Sequence, residues 1–339
     1  DCVILSIAKD DTNNEKLITT MLEPTILQQV TEIFRNLEAD YTFRISYSPL
    51  REESSQLIEF LNDFASTSAR LNVEKQEAEG DTLAFSLLKN GEDTDIAFRG
   101  IPNGHEFTSL LLAVLNADGK GKNLPDEGIA QRVRSLSGDI HLQTYVSLTC
   151  TNCPDVVQTL NIFALLNPNI RHEMVDGALF QSEVDAKGVQ AVPAVFADGK
   201  LIHVGRGSLG ELLEKLEEVY PSCPMDENGG NGPIHRSFDV LVLGGGPAGA
   251  SAAIYSARKG LKVAMVAERI GGQVKETVGI ENLISVPYTT GSQLADNLRT
   301  HLTHYPIELF ENRRVEAVDW SGKERQVTVK GGEVFSAPA

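Results

Sequence analysis

The feature that most constrains this sequence is an order of helices and strands that occurs twice. Residues 24–116 are predicted to form a helix, a strand, a helix, three strands and a closing helix. Residues 126–219 repeat nearly the same order. An internal repeat of this length indicates two copies of one fold. Strand–helix–strand units that end in a hairpin and a helix predict an α/β sandwich.

The rest of the chain divides by composition. The stretch YPSCPMDENGGNGPIHR is rich in glycine and proline and predicts a linker. We therefore expect five segments: a leader or tag at 1–20, a first fold at 21–122, a second at 123–219, the linker at 220–236, and a further α/β region at 237–339.

Composition excludes several classes of function. The net charge of −17 lacks the basic footprint of a nucleic-acid-binding protein. No apolar run approaches the roughly 18 residues of a membrane span, and the N-terminus shows no signal peptide. Four cysteines are too few for a disulfide scaffold. We expect a cytoplasmic protein, in which a C-x-x-C motif is catalytic or metal-binding more often than structural.

Two of the cysteines, Cys150 and Cys153, stand in the motif CTNCP at a predicted strand-to-helix turn. Three interpretations are open: a redox dithiol, half of a zinc site, or a packing pair. Zinc needs two more ligands at close spacing, whereas Cys2 and Cys223 are isolated. The C-x-x-C motif at such a turn favours the dithiol.

The apolar spacing after Cys153 predicts that this sulfur faces inward and that Cys150 is exposed near the helix N-cap. Free N–H groups and the helix dipole would lower the thiol pKa of Cys150 from ~8.5 to ~7. Cys150 would then attack a partner's disulfide, and Cys153 would resolve the mixed disulfide.

The first copy has no cysteine at the matching place, where SYSPLREES stands. Its unusual residue is Glu106, at the start of the closing helix. One interpretation is an exposed carboxylate stabilised by the helix dipole. The other places Glu106 near the dithiol of the second copy, where it tunes a thiol pKa or moves a proton.

A glycine-rich turn, GGGPAG, follows a predicted strand and opens a helix. Gly244 makes the turn, Gly246 lets the backbone approach a pyrophosphate, and Gly249 permits close helix–strand packing. Pro247 and Ala248 complete the turn, so that helix N–H groups face the phosphates. Glu268, 22 residues after Gly246, ends the next strand, where a ribose-binding carboxylate belongs.

These motifs resemble two known groups of proteins. CTNCP followed by AVPAVFADG is similar to the thioredoxin/glutaredoxin superfamily, which implies a cis Val192–Pro193 bond beside the dithiol. GGGPAG followed by AAIYSARKG and ERIGGQ resembles the FAD domain of thioredoxin reductase-like flavoproteins. That resemblance implies that Gly272, Gln273 and Asn282 lie along the isoalloxazine; without it, Gln273 reads as a surface residue.

Together the motifs resemble the flavoprotein (F) subunit of alkyl hydroperoxide reductase. The resemblance implies two tandem thioredoxin-like folds followed by a Rossmann-like FAD-binding βαβ domain. It also implies electron flow from NADH or NADPH through FAD and dithiols to Cys150 and Cys153, and then to a 2-Cys peroxiredoxin. Homodimerisation through the FAD region is a further implication.

The sequence departs from that family by lacking a pyridine-nucleotide domain, a second C-x-x-C motif and a second FAD segment. We therefore expect a fragment with an incomplete FAD domain. Two alternatives remain: a reductase of free thioredoxin or glutaredoxin, and a non-catalytic tandem docking module. No role is predicted for Cys2 or Cys223, and no metal is expected.

Overall fold

The structure is a computed structural model that describes residues 21–222 and 234–339. The predicted leader, Cys2, Cys223 and most of the predicted linker lie outside these ranges. The described residues form two compact units, one with residues up to 126 and from 133 to 222, the other with 127–132 and 234–339. Within both ranges, no helix combines the length and the apolar character needed to cross a membrane.

The first unit is built on one mixed sheet of eight strands. Its strands, in chain order, are β1 (Tyr41–Tyr47), β2 (Leu71–Glu77), β3 (Leu83–Lys89), β4 (Glu92–Arg99), β5 (Ile140–Val146), β6 (Ile170–Asp176), β7 (Ala194–Ala197) and β8 (Lys200–Val204). They lie in the order β2-β1-β3-β4-β6-β5-β7-β8. Each half therefore has the same arrangement, and the parallel pairing of β4 with β6 joins the halves.

The described part of this unit has helices α1 (Pro24–Phe34), α2 (Glu53–Ala65), α3 (Phe107–Ala117), α5 (Cys153–Leu166), α6 (Gln181–Ala186) and α7 (Leu209–Val219). Helix α4 (Glu127–Ser135) precedes β5 in the chain, and its residues 127–132 belong to the second unit. A short 3₁₀ helix, Gly104–Glu106, precedes α3. In α2, Leu57, Leu61 and Phe64 are buried at the spacing of one helix face. The core of the first half contains edge-to-face pairs such as Phe34–Phe64 and Phe43–Phe85.

The two halves share one register. Tyr41 opens β1 opposite Leu71 of β2, and Ile140 opens β5 opposite Ile170 of β6, so that counterparts lie 99 positions apart. The following turns agree: the N–H of residue 51 donates to the carbonyl of Ser48, and that of Cys150 donates to the carbonyl of Ser147. The repeat predicted from the sequence is therefore present in three dimensions, strand by strand.

The second unit contains a parallel sheet and a mixed sheet. β10 (Val240–Leu243), β11 (Val263–Val266) and β12 (Ile307–Phe310) form the parallel sheet, while β13 (Val315–Asp319), β14 (Arg325–Val329), β15 (Val334–Ala337) and β9 (His235–Ser237) form the other. Helix α8 (Pro247–Ala257) connects β10 to β11, and α9 (Gly291–Thr303) precedes β12. The small residues Ala250 and Ala253 of α8 are fully buried, which lets the helix pack closely on the parallel sheet.

Candidate functional site

The two sulfurs of the C-x-x-C motif lie at the start of α5 and form a disulfide. Their Cα atoms are 5.5 Å apart. Cys153 is the first residue of the helix and is fully buried, whereas Cys150 is partly exposed in the turn after β5. The N-cap is Asn152, so Cys150 precedes the cap by two residues. One sulfur is thus accessible to a partner and the other is held inside.

Pro193 lies beside this disulfide. The Val192–Pro193 peptide bond is cis, and Pro193 immediately precedes β7, which pairs with β5. The Sγ atom of Cys150 lies 3.9 Å from the carbonyl oxygen of Val192. The motif AVPAVF and the dithiol, more than forty residues apart in the chain, therefore meet at one end of the sheet.

Glu106 ends the 3₁₀ helix of the first half and is fully buried. This short helix is attached to the segment that leads to the disulfide: the N–H of His105 donates to the carbonyl of Leu148 at 3.0 Å. A Cβ at Gly104 would lie only 2.6 Å from that same oxygen. Both the 3₁₀ helix and α3 also contact α5. The first half thus places Glu106 against the turn and the helix that carry the two cysteines.

The environment of Glu106 favours a protonated carboxyl group. Neither carboxyl oxygen has a hydrogen-bond partner among the described residues. Burial raises the pKa of Glu106 to about 7, and the negative charges of Asp155 and Asp176 act in the same direction. The nearby Ser109 hydroxyl forms no hydrogen bond with either oxygen, and its dipole opposes this rise in pKa only in part. A carboxyl group with such a pKa can give or take a proton near neutral pH.

Sequence reasoning missed Asp155 and Asp176. Asp176 is the last residue of β6 and is buried, and this burial raises its pKa. Its Oδ1 accepts a hydrogen bond from the N–H of Ala178 at 3.1 Å. Asp155 lies in the first turn of α5. An acid at the end of a buried strand is the signal that could have drawn attention to Asp176.

The glycine-rich turn lies between β10 and α8. Gly244 has a φ of 105°, which favours glycine, and Gly246 is the N-cap of α8. A Cβ at Gly249 would lie 2.1 Å from the carbonyl oxygen of Gly244, whereas a Cβ at Gly246 would meet nothing within 4 Å. The turn therefore combines a closely packed glycine with one that borders open space, and Pro247 and Ala248 lie beside it.

Glu268 follows β11, and its exposed carboxylate accepts a hydrogen bond from Nε of Arg314 at 2.8 Å. Arg314 was not singled out by the sequence. Gly272 approaches the glycine-rich turn, because a Cβ there would lie 3.4 Å from Cα of Gly246. Together these contacts fit an adenine dinucleotide: an open glycine, a helix N-terminus and an acid at the end of the second strand.

The two remaining residues of the predicted flavin site are both exposed. Asn282 lines a cavity of about 660 Å³, together with residues that include Val274 and Leu294. Gln273 belongs to a 3₁₀ helix, Gly272–Glu276, at the start of this region. The structure therefore brings Gly272 to the turn and places Asn282 on a separate cavity wall.

The zinc interpretation finds no support within residues 21–222 and 234–339, where no group of histidine, cysteine or acidic side chains could hold a metal ion.

Comparisons with known proteins match two separate stretches of the chain. Residues 140–218 match a family model described as a thioredoxin domain, and residues 239–331 match one described as an FAD dependent oxidoreductase. A solved structure of the NTD_N/C domain of alkylhydroperoxide reductase AhpF from Enterococcus faecalis is 31% identical, with a TM-score of 0.54. That match covers 57% of this chain and 99% of the solved one.

Two curated relatives extend the match along the chain. The F subunit of alkyl hydroperoxide reductase in Staphylococcus epidermidis is 39% identical over 94% of this chain and 60% of the relative. A Bacillus subtilis protein named NADH dehydrogenase is 42% identical over 88% of this chain and 57% of the relative. The chain thus spans less than two thirds of the length of these relatives.

Proposed function

Because the chain belongs to the family of the alkyl hydroperoxide reductase flavoprotein AhpF, we propose that it is part of an FAD-dependent disulfide reductase that delivers electrons to a peroxiredoxin. The observation that carries this proposal is the Cys150–Cys153 disulfide, with one sulfur partly exposed and the other buried. A structural disulfide has no need of that asymmetry, whereas an exchange reaction requires one accessible nucleophile.

Exchange begins from the reduced pair. The Cys150 thiolate attacks one sulfur of the partner's disulfide, which forms a mixed disulfide and releases the partner's first thiolate. Cys153 then loses its proton and attacks Cys150 Sγ, which releases the second thiolate. Two electrons pass to the partner, and Cys150 and Cys153 are left as the disulfide seen here. We assign to Glu106 the removal of the Cys153 proton, because its raised pKa suits proton transfer near neutral pH.

Two features of the second copy would guide the partner. The backbone carbonyl of Val192 lies next to Cys150. Pro193, the next residue, is buried. We propose that these residues orient the incoming disulfide so that its sulfur approaches Cys150 from the exposed side.

FAD is the cofactor we propose for the second unit, and when bound it supplies two-electron redox chemistry. Gly244 and Gly246 would receive the pyrophosphate at the N-terminus of α8, with Pro247 and Ala248 at its edge, while Gly249 lets the helix pack closely on the turn. Glu268 would hold a ribose, and Gly272, Gln273 and Asn282 would line the ring system. NADH or NADPH would supply the electrons to the whole protein; the Bacillus subtilis relative carries the name NADH dehydrogenase.

The partner proposal is tested by trapping. Reduced Cys153→Ser chain, mixed with an oxidised 2-Cys peroxiredoxin, should accumulate a mixed disulfide through Cys150 that is visible on a non-reducing gel. Cys150→Ser is the matched control and should trap nothing. If the peroxiredoxin is not trapped and free thioredoxin is, the thioredoxin alternative is favoured. If binding persists in Cys150→Ser and the unmodified chain reduces neither protein, the chain is a docking module.

The cofactor proposal is tested with ADP, a probe of the dinucleotide half. Gly246→Ala should leave the fold intact, since its Cβ would meet nothing within 4 Å, yet should reduce ADP affinity at least about tenfold by occupying the phosphate space. Ser251→Ala, a change one turn further along α8, is the control. Equal ADP affinities in calorimetry for Gly246→Ala and the unmodified chain would contradict the assignment.

We also propose that the whole protein forms a homodimer, which sedimentation would test, and that it is located in the cytoplasm, which cell fractionation would test.

A further inference from the structure

Arg51 occupies the place of the attacking cysteine in the first half. The shared register pairs Arg51 with Cys150 and Ser54 with Cys153. Leu83 pairs with Tyr47 at the start of β3. By the same strand pairings, Leu83 holds the position in the first half that Pro193 holds just before β7 in the second. The redox residues of this copy have thus been replaced by a cation, a hydroxyl and an apolar side chain.

The guanidinium of Arg51 is nearly buried, with 10% of the side chain exposed. It donates to the carboxylates of Asp81 at 2.8 Å and Glu53 at 3.3 Å, both in its own half. Its Nη2 atom donates to the carbonyl oxygen of Leu179 at 2.7 Å, which lies 128 positions away in the second half. Arg51 therefore spans the two copies.

The ring of Phe180, the residue after Leu179, makes cation–π contacts with two guanidinium groups of the first half. The Arg51 guanidinium lies 4.7 Å from the centre of its ring, and that of Arg99 lies 4.2 Å away. Arg99 in turn donates twice to Glu183 of α6, at 2.7 and 3.2 Å. Each guanidinium over the ring attracts it through a cation–π interaction.

The segment held in this way begins at Asp176. The N–H of Leu179 donates to the Asp176 carbonyl, and the N–H of Ala178 donates to its carboxylate, both at 3.1 Å. Gly100, which follows β4 of the first half, leaves no room at Asp176: a Cβ there would lie 2.9 Å from the Asp176 Cβ. A displacement of residues 179–180 would therefore be transmitted to the Asp176 side chain.

We propose that Arg51 is a positioning residue, whose guanidinium holds residues 176–180 of the second half against the first and so fixes the place of the Asp176 carboxylate, one of the charged groups that act on Glu106. The charged groups that act on Glu106 are Asp176 from β6 and Asp155 from α5. In this way Arg51, at the position in the first copy that corresponds to Cys150, influences the electrostatic environment of Glu106 near the disulfide of the second copy. The role of Glu106 in this inference rests on the proposed function, whereas the contacts of Arg51 with residues 179 and 180 do not.

The test is a carboxyl titration of the full 339-residue chain carrying ¹³C-labelled glutamate. The Glu106 signal is identified by its absence in Glu106→Gln and should titrate near pH 7, apart from exposed glutamates. Arg51→Ala should release the segment, admit water and move Asp176 away, which lowers the Glu106 midpoint by about one unit. Phe180→Leu, which removes the ring but keeps an apolar side chain, should lower it in the same direction.

Arg44→Ala is the matched control, because Arg44 pairs with Glu74 on the same half and both side chains are half exposed. It should leave the Glu106 midpoint unchanged. An unchanged midpoint in folded Arg51→Ala or folded Phe180→Leu overturns the positioning role. The rate at which Cys153 resolves a mixed disulfide on Cys150, measured against pH in Glu106→Gln, separates the two ideas: an unaltered profile refutes the proposed proton transfer by Glu106 and leaves the midpoint test valid.

Discussion

The two halves of the eight-stranded sheet have the same strands, register and turn, yet only one retains redox residues. In the second half the turn carries Cys150 and the helix begins with Cys153; in the first half Arg51 and Ser54 stand at these places. The backbone hydrogen bond of the turn is unchanged. The comparison teaches that this turn and its strands form without the dithiol. It also shows that the residue at the position of Cys150, Arg51, can instead bind the neighbouring copy.

The halves also differ beneath the helix that follows the turn. His172 of β6 is buried and bonded on both sides, 2.8 Å from the hydroxyl of Thr144 and 2.7 Å from Oδ1 of Asn161 on α5. The register places Val73 and Ile45 of the first half at the positions of His172 and Thr144. Polar side chains thus lie beneath α5, the helix that begins with Cys153, whereas apolar side chains stand at the matching positions beneath α2.

The largest expected effect comes from making the working turn like the degenerate one. Cys150→Ser removes the nucleophile, so reduction of a small disulfide such as 5,5′-dithiobis(2-nitrobenzoate) by the pre-reduced chain should fall at least about a thousandfold. The fold should persist, because the first half shows that this turn forms without sulfur. Retention of the rate would show that Cys150 is not the exchange thiol.

Acid should destabilise the second half through His172. Burial lowers the pKa of His172 to about 3, whereas the unfolded residue titrates near 6.5. Since the unfolded state binds the proton more readily, stability should fall as the pH drops from 6.5 towards 3, by about 4–5 kcal/mol in total. His172→Val, which installs the residue of the first half, should abolish this dependence. Urea unfolding at several pH values measures it, and an equal slope in both proteins contradicts it.

Glu106 should impose the opposite pH dependence. Its pKa is about 7 in the folded chain and 4.5 in the unfolded one, so its folded-state proton stabilises below pH 4.5 and this advantage is lost as the pH rises to 7. The free energy of unfolding of Glu106→Gln, taken relative to that of the unmodified chain, should therefore be about 3 kcal/mol higher at about pH 8 than at about pH 4. Chemical denaturation at both pH values checks this. An equal difference at both would show that Glu106 is not buried as an acid.

The smallest effect is expected at the residue that replaces Cys153. The Ser54 hydroxyl is buried and donates to the carbonyl of Ser48 at 2.7 Å. Ser54→Ala should cost about 1 kcal/mol of unfolding free energy, the net value of one such hydrogen bond. Disulfide exchange should not change, and a loss of exchange would mean that the first half takes part in the chemistry.

Local patterns predicted the elements well, and long-range contacts explain where they failed. Apolar spacing in the sequence predicts a helix over 209–219, and the structure has it as Leu209–Val219, since the apolar spacing and the Ser208 cap are both local. The same spacing predicts a first helix over 24–38, but this helix ends at Phe34. There Asp118 accepts hydrogen bonds from the N–H groups of Glu38 and Ala39, a contact that spans about eighty positions and leaves no periodic trace.

The candidate sites show the same limit. The sequence identified Cys150, Cys153 and the glycine-rich turn because each depends on neighbours a few residues away. For Glu106 it left two interpretations open, an exposed carboxylate and a group near the dithiol, and the burial of Glu106 contradicts the first. It did not reveal the contact of Arg51 with Phe180, because that contact follows from the pairing of β4 with β6.

That pairing also has a consequence for the behaviour of the chain in concentrated solution. Two separate sheets would offer four unpaired borders, whereas among the described strands the joined sheet offers two, at β2 and β8. Open borders invite strands of other molecules to add on and seed aggregates. At β2 the border carries exposed charges on Glu74, Lys75 and Glu77, which discourage such addition. The first copy thus covers the inner border of the second, and this protection would be lost if the first copy were deleted.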